Sequence, residues 1–221
     1  MFSMDSFLRE YKTNTTEIVV RGKTFHFYVP SEVAPYVKGE DLFQDFPLWA
    51  KIWEASWVLA DFLGGEAPEP ARRFLELGCG VGLVGIVASS FGHRVTMTEN
   101  NPHALDFARA NAELNRCSNL EIVALDWRRP ELEGPYDGIL GSEIVYREED
   151  FQDLLGLIRA CLRPGGEVLF AAGLRRTSIQ FFAQMQAIFD IEAKKKVLRS
   201  RDREIPIIFS RMTPKEAPGT S

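Results

Sequence analysis

From Arg73 onward the chain alternates short β-rich runs with helical runs and leaves little between them, and no other feature restricts its possible folds as much. RFLELG (73–78) is a short buried strand, and Gly78 to Gly82 form a glycine-rich turn into the apolar helix LVGIVASSFG. HRVTMTE is a second strand; NPHALDFARANAELNR is a helix with Asn101 placed to cap it and Pro102 in its first turn. NLEIVALD and YDGILGSE are the third and fourth strands. EEDFQDLLGLIRACL is an amphipathic helix, and PGGEVLFAAG is a fifth strand entered by a Pro164-Gly165-Gly166 turn. A helix over 177–188, a strand over 189–198, a charged tip SRDRE and a last strand IPIIFSRM predict an antiparallel hairpin at the sheet edge. Repeated βα units require a parallel sheet with helices on both faces, and binding then belongs beyond the carboxyl ends of the strands. The expected fold class is α/β, mostly parallel, with a C-terminal antiparallel hairpin.

The first 70 residues follow a different rhythm. Residues 1–13 predict a short helix with Phe2, Phe7 and Leu8 on its apolar side, and TEIVVRGKTFHFYVP predicts two strands joined at Arg21-Gly22-Lys23. PLWAKIWEASWVLADFL predicts one helix, with Trp49, Trp53 and Trp57 drifting slowly around a single face until Gly64-Gly65 ends it. The expected organisation is a helix, hairpin and Trp-rich helix over 1–70 capping a core over 71–213, with a flexible tail over 214–221.

Composition removes several function classes. At 221 residues, 45% hydrophobic and 26% charged, the chain is one domain able to bury a core. A net charge of −5 argues against nucleic acid as the default partner. No apolar run approaches the ~18 residues of a membrane span, and the charged N-terminus lacks a signal-peptide core, so a cytoplasmic location is expected. Cys79, Cys117 and Cys161 are far apart and the three histidines are scattered, so neither a disulfide frame nor a metal site is expected.

The segment Glu76-Leu77-Gly78-Cys79-Gly80-Val81-Gly82-Leu83-Val84-Gly85 carries the chemistry. Alternating glycines let the backbone turn sharply and let a ligand approach it closely. Read from Gly80, the same letters also satisfy the dinucleotide fingerprint. Glu76 separates the two readings: a carboxylate just before the first glycine would repel a pyrophosphate but could neutralise an ammonium or order water beside it. Glu99 ends the second strand, where a carboxylate can take two ribose hydroxyls in either case. Asp126 could accept from an adenine amine, and the Trp127 indole could stack on the ring.

Together ELGCGVG, TE, LDW and the Pro164-Gly165-Gly166 turn resemble the class I S-adenosylmethionine-dependent methyltransferases. Within that class the chain is similar to methyltransferase family 16, which contains many small protein-lysine methyltransferases. Trp53 in IWEASWVLADFL, the LDW after the third strand and Glu143-Ile144-Val145-Tyr146 after the fourth carry the narrower match. The resemblance covers roughly residues 40–212 and implies a Rossmann-like, seven-stranded sheet. It also implies that Trp53 lies against the methionine end of the cofactor and that Gly78, Cys79 and Gly80 follow its backbone. Glu99 would hold the ribose, Trp127 would border the adenine, and Ser142 would add a backbone contact. Glu143 and Tyr146 would line the channel of the methyl acceptor. The family pattern commonly has Asp where this chain has Glu143, which lengthens the arm by one methylene.

The implied reaction is an in-line displacement at a methyl sulfonium, for which a protein must align the reactants, exclude water and present a neutral acceptor. Glu143 is assigned to positioning, and Tyr146 to a hydroxyl contact and an aromatic face toward a cation. The expected acceptor is a protein lysine. A small amine or other metabolite, or a non-catalytic binding domain, is the alternative, and a monomer is expected. Lys194-Lys195-Lys196 with Arg199, Arg201 and Arg203 reads first as a solvated hairpin tip, and second as a docking patch for an acidic protein or RNA.

Overall fold

In chain order the elements are α1 (Met4–Glu10), β1 (Thr13–Val20), β2 (Lys23–Pro30), α2 (Glu54–Gly65), β3 (Arg73–Leu77), α3 (Leu83–Ser90), β4 (Arg94–Glu99) and α4 (Pro102–Leu114). They continue as β5 (Leu120–Ala124), β6 (Tyr136–Ser142), α5 (Phe151–Cys161), β7 (Leu162–Gly173), α6 (Arg176–Met185), β8 (Phe189–Ser200) and β9 (Arg203–Pro214). The computed structural model describes residues 2–37, 46–69, 72–117, 119–132, 134–200 and 203–215. β1 and β2 form a separate hairpin; the other strands form one sheet in the order β5-β4-β3-β6-β7-β9-β8. Its first five strands are parallel, and β9 runs antiparallel to both β7 and β8. The order reverses at β3, which lies between β4 and β6, so the crevice of a doubly wound sheet opens beyond its carboxyl end.

Strand alternation divides the core cleanly. Leu169 and Ala171 of β7 face α2, α3 and the β1–β2 hairpin, with Phe27, Leu59, Ile86 and Met97. Val168 and Phe170 face α5 and α6, with Leu77, Ile139, Phe151 and Phe181. Each of these side chains larger than alanine, once buried, contributes about 1.5–3 kcal/mol. The N-terminal segment is tied to the glycine loop: Phe7 and Tyr11 pack on Phe107 of α4 and on Val81. Asn111, fully buried, accepts from the Tyr28 N–H (2.7 Å) and donates to the carbonyls of Tyr28 (3.0 Å) and Val81 (2.9 Å). One turn later Asn115 repeats the pattern on His26. Two asparagines on one helix face thus present to β2 the donors and acceptors a neighbouring strand would.

The helix expected over 47–63 is broken. A 3-10 turn spans Leu48–Ala50, the backbone is extended at Trp53 (φ −94°, ψ 151°), and α2 starts at Glu54. The Trp53 indole N–H donates to the Leu48 carbonyl (2.7 Å), so a side chain takes the acceptor that a helical ladder would use. The three tryptophans therefore do not share a helix. β7 begins at Leu162, earlier than expected, and Pro164-Gly165-Gly166 forms an irregularity inside the strand where its register against β6 shifts. Of the expected tail, Pro214 closes β9 and the Lys215 N–H donates to the Ile188 carbonyl (3.0 Å); residues 216–221, and Arg201 and Asp202 of the hairpin tip, lie outside the described residues. Among the described residues no helix is long and apolar enough to cross a membrane.

Candidate active site

The glycine loop leaves β3 through three residues of positive φ: Gly78 (62°), Gly80 (54°) and Gly82 (92°). The Cys79 N–H donates to the Thr98 carbonyl and the Gly82 N–H to the Cys79 carbonyl, which fixes the turn before α3 begins. A Cβ on Gly80 would lie 3.3 Å from the Trp49 carbonyl oxygen, and one on Gly78 would lie 3.0 Å from Ile144 and 3.7 Å from the Trp127 ring. The loops after β3, β5 and β6 therefore converge at Gly78. The Cys79 thiol is buried, and burial, with the charges of Glu76 and Glu99 added, holds it well above its ordinary pKa. It is a packed thiol rather than a nucleophile.

Two carboxyls flank the loop and differ in kind. Glu99 Oε2 accepts from the Gly80 N–H (3.1 Å), and its Oε1 accepts from the N–H groups of Asn100 (2.8 Å) and Asn101 (3.0 Å). Three backbone donors orient it while leaving about one of its four acceptor positions for a hydroxyl. Glu76 is 1% exposed, on the face of β3 that lies under α3, and its Oε2 is buried with no hydrogen-bond partner. Burial pushes its pKa up to about 8; the Gly85 backbone N–H opposes this and the Glu99 charge adds to it. A second orphan, the Trp49 indole N–H, is buried in the aromatic group that covers Gly80.

The opposite wall comes from β5, β6 and the start of α2. Trp127 is half-buried against the α5 side of the core. Asp126 is committed to Arg128, which donates to it from Nε (2.9 Å), Nη2 (2.6 Å) and the backbone (3.0 Å); the Arg128 hydrogen bonds hold its pKa at about 2. An adenine amine would have to share Asp126 with that guanidinium. Ser142 ends β6, and its hydroxyl meets that of Ser56 in α2 at 2.9 Å. Glu143 follows at φ 56°, a left-handed conformation that costs a side-chain-bearing residue some strain and that Arg21 and Arg116 also adopt, in turns away from the crevice. Its N–H donates to the Ala171 carbonyl, its Oε1 accepts from the Gly173 N–H (2.8 Å), and its Oε2 pairs with Arg175 (2.7 Å). The side chain is 10% exposed; burial raises its pKa, against the pull of Arg175 and the Gly173 N–H. Tyr146 stands at the mouth, 36% exposed, its pKa raised by burial, lowered by Arg147 and raised by Asp150 and Glu99.

The loop, the ribose-type carboxylate and the orphaned Glu76 and Trp49 atoms fit a nucleoside with a zwitterionic arm. A family model described as lysine methyltransferase matches residues 44–188, well over half of the chain. The chain belongs to that family.

Similar proteins carry related names. A zebrafish (Danio rerio) protein N-lysine methyltransferase METTL21A is 36% identical over 152 residues, covering 65% of this chain and 69% of its own. A mouse (Mus musculus) EEF1A lysine methyltransferase 3 is 31% identical, covering 71% and 73%. A mouse histone-arginine methyltransferase METTL23 is 31% identical over 54% of this chain and half of its own. Among solved structures, the N-methyltransferase NodS from Bradyrhizobium japonicum, in complex with S-adenosyl-L-homocysteine, superposes with a TM-score of 0.60 at 18% identity, covering 83% and 97%, and shows the fold. This chain is an S-adenosylmethionine-dependent methyltransferase.

Within the methyltransferase, Gly78, Gly80, Glu99, Trp127, Ser142 and Tyr146 stand at the carboxyl ends of the strands, as the motifs imply. Trp53 does so less directly: its ring faces the Lys51 ammonium (4.3 Å) and lines a surface groove beside α2. Sequence reasoning missed Arg175, Asn111 and Trp49. Only Trp49 left a signal, its place just ahead of the Trp53 motif. Arg175 reaches Glu143 across a strand-to-helix turn that no local pattern marks.

Proposed function

We propose that this methyltransferase N-methylates a lysine side chain of a protein. The observation that carries the reading is Glu143: a buried carboxylate, strained in its backbone and clamped by Arg175 and Gly173, beside a mouth bordered by Tyr146. When bound, S-adenosylmethionine supplies a methyl group on a sulfonium already activated for displacement. Gly78 and Gly80 would follow its backbone, Glu99 would accept from a ribose hydroxyl, Trp127 would cover its adenine, and Glu76 would face its ammonium. Trp53, Cys79, Asp126 and Ser142 would complete the surround, Cys79 and Ser142 through the backbone.

A lysine must lose its proton before it can act as an acceptor. A lone carboxylate would hold the ammonium form, but Arg175 already offsets the charge of Glu143, so Glu143 can orient an amine without strongly raising its pKa. The Arg147 guanidinium already lies over one face of the Tyr146 ring (5.7 Å), so the substrate cation would take the other, and the exposure of Tyr146 leaves water in reach to take the proton. The same proposal takes the enzyme to be a monomer. Incubating lysate with the enzyme and methyl-labelled cofactor, then separating macromolecules from small molecules, tests the reading. Label in protein is expected; label confined to the low-mass fraction would assign a metabolite acceptor instead.

A further inference from the structure

The basic segment of the C-terminal hairpin has no part in the site described above. β7 ends at Gly173, which pairs with Ile207 of β9 and, through it, stands level with Lys196 of β8. The rest of the hairpin therefore projects past the carboxyl edge of the sheet, on the side where Glu143 lies. Between this arm, the start of α2 and the end of β1 runs an open groove of about 300 Å³. Ile18, Ile52, Trp53, Trp57 and Leu198 give it apolar walls, with Trp57 40% and neighbouring Val19 48% exposed. Glu17 and Glu54 also line it. Two residues along α2 from Glu54, the Ser56 hydroxyl meets that of Ser142, the neighbour of Glu143, at 2.9 Å, so the groove opens beside the acceptor mouth.

On β8, Leu198, Lys196 and Lys194 share one face, because side chains alternate along a strand. Both lysines are exposed, and among the described residues neither has an ion-pair partner. Lysines on an edge strand keep other strands from pairing with it. That role does not account for the open apolar groove that begins at Leu198, two residues beyond Lys196 on the same face of β8.

We propose that this groove docks the protein substrate, taking a segment in which the acceptor lysine is followed by an apolar anchor and then by acidic residues. The lysine would enter past Glu54 toward Glu143, the anchor would cover Trp57 and Leu198, and the acidic residues would meet Lys196 and Lys194. The charges at the two ends of the groove set the direction of the segment. This rests on the acceptor being carried by a protein.

The test uses the full chain and two variants, K194E/K196E and Trp57→Ala, with S-adenosylhomocysteine titration reporting that each is folded. The probe is a fluorescent peptide with one lysine, a pair of leucines and a run of glutamates, read by anisotropy beside a copy in which lysines replace the glutamates. The wild type binds the acidic peptide and loses it with added salt; each variant binds it at least about tenfold more weakly, and the basic copy is not bound. Equal binding by wild type and K194E/K196E overturns the proposal, as does preference for the basic copy. An RNA oligonucleotide that binds the wild type and is lost in K194E/K196E would reassign the arm to nucleic acid and also overturn it. Labelled protein with unchanged rates in both variants sinks the docking site alone, whereas label only in small molecules sinks the protein-acceptor reading beneath it.

Discussion

Glu76 gives the sharpest physical prediction, because it sits where a carboxylate is costly and is kept there. Its pKa rises from 4.5 to about 8, chiefly through burial. In the unfolded chain the group ionises above about 4.5; in the folded protein it keeps its proton until about pH 8. The folded state therefore binds more protons through that window, and stability falls as pH rises through it. At ~1.4 kcal/mol per pH unit, the limit for one group is on the order of 5 kcal/mol, fully felt above pH 8. Glu76→Gln keeps the shape and removes the ionisation. In urea titrations of the cofactor-free protein it should equal the wild type near pH 4.5 and exceed it by at least about 2 kcal/mol at pH 9. The same variant should bind S-adenosylhomocysteine more weakly at high pH, since its ammonium loses a carboxylate. Parallel stability curves for wild type and variant across the window would refute the assignment.

Four further outcomes follow from the site and the helix that backs it. Glu143→Gln retains an acceptor for the Gly173 N–H but loses the pair with Arg175; kcat should fall on the order of 100-fold while calorimetry shows S-adenosylhomocysteine binding little changed. Arg175→Met leaves Glu143 in place without the cation that lowers its pKa, so the acid limb of the pH–rate profile should move to higher pH; an unmoved limb would show that Arg175 is only structural. Gly80→Ala puts a side chain at φ 54° and against the Trp49 carbonyl, so it should cost about 1–2 kcal/mol in urea unfolding and weaken S-adenosylhomocysteine binding at least about tenfold. Asn111→Ala strands three backbone groups and should lower unfolding free energy by about 2–4 kcal/mol in the same titration.

What the sequence revealed follows from the range of the interactions involved. The βα alternation, the glycine loop and the carboxylates at strand ends are local patterns, so the parallel sheet and the placing of Glu76 and Glu99 beside the glycine loop are legible in the sequence. The break before α2 was illegible because it depends on one indole N–H finding the Leu48 carbonyl. The Pro164-Gly165-Gly166 turn is present, with Gly165 at φ 73°, but Leu162 ahead of it already pairs with Tyr136 of β6, so β7 starts before the turn instead of after it. Asp126 stands where the motif puts it, but its neighbour Arg128 competes for it, and a motif describes residue types rather than their other partners. Arg175 and Asn111 act across the chain, so only the fold brings them to the site.

The most direct test of the central claim is the chemical identity of the product. Protein labelled by this enzyme with methyl-tagged S-adenosylmethionine would be hydrolysed to amino acids and the label followed by chromatography. Label co-migrating with ε-N-methylated lysine is the predicted result. Label in methylated arginine, or in no amino acid at all, would contradict the account.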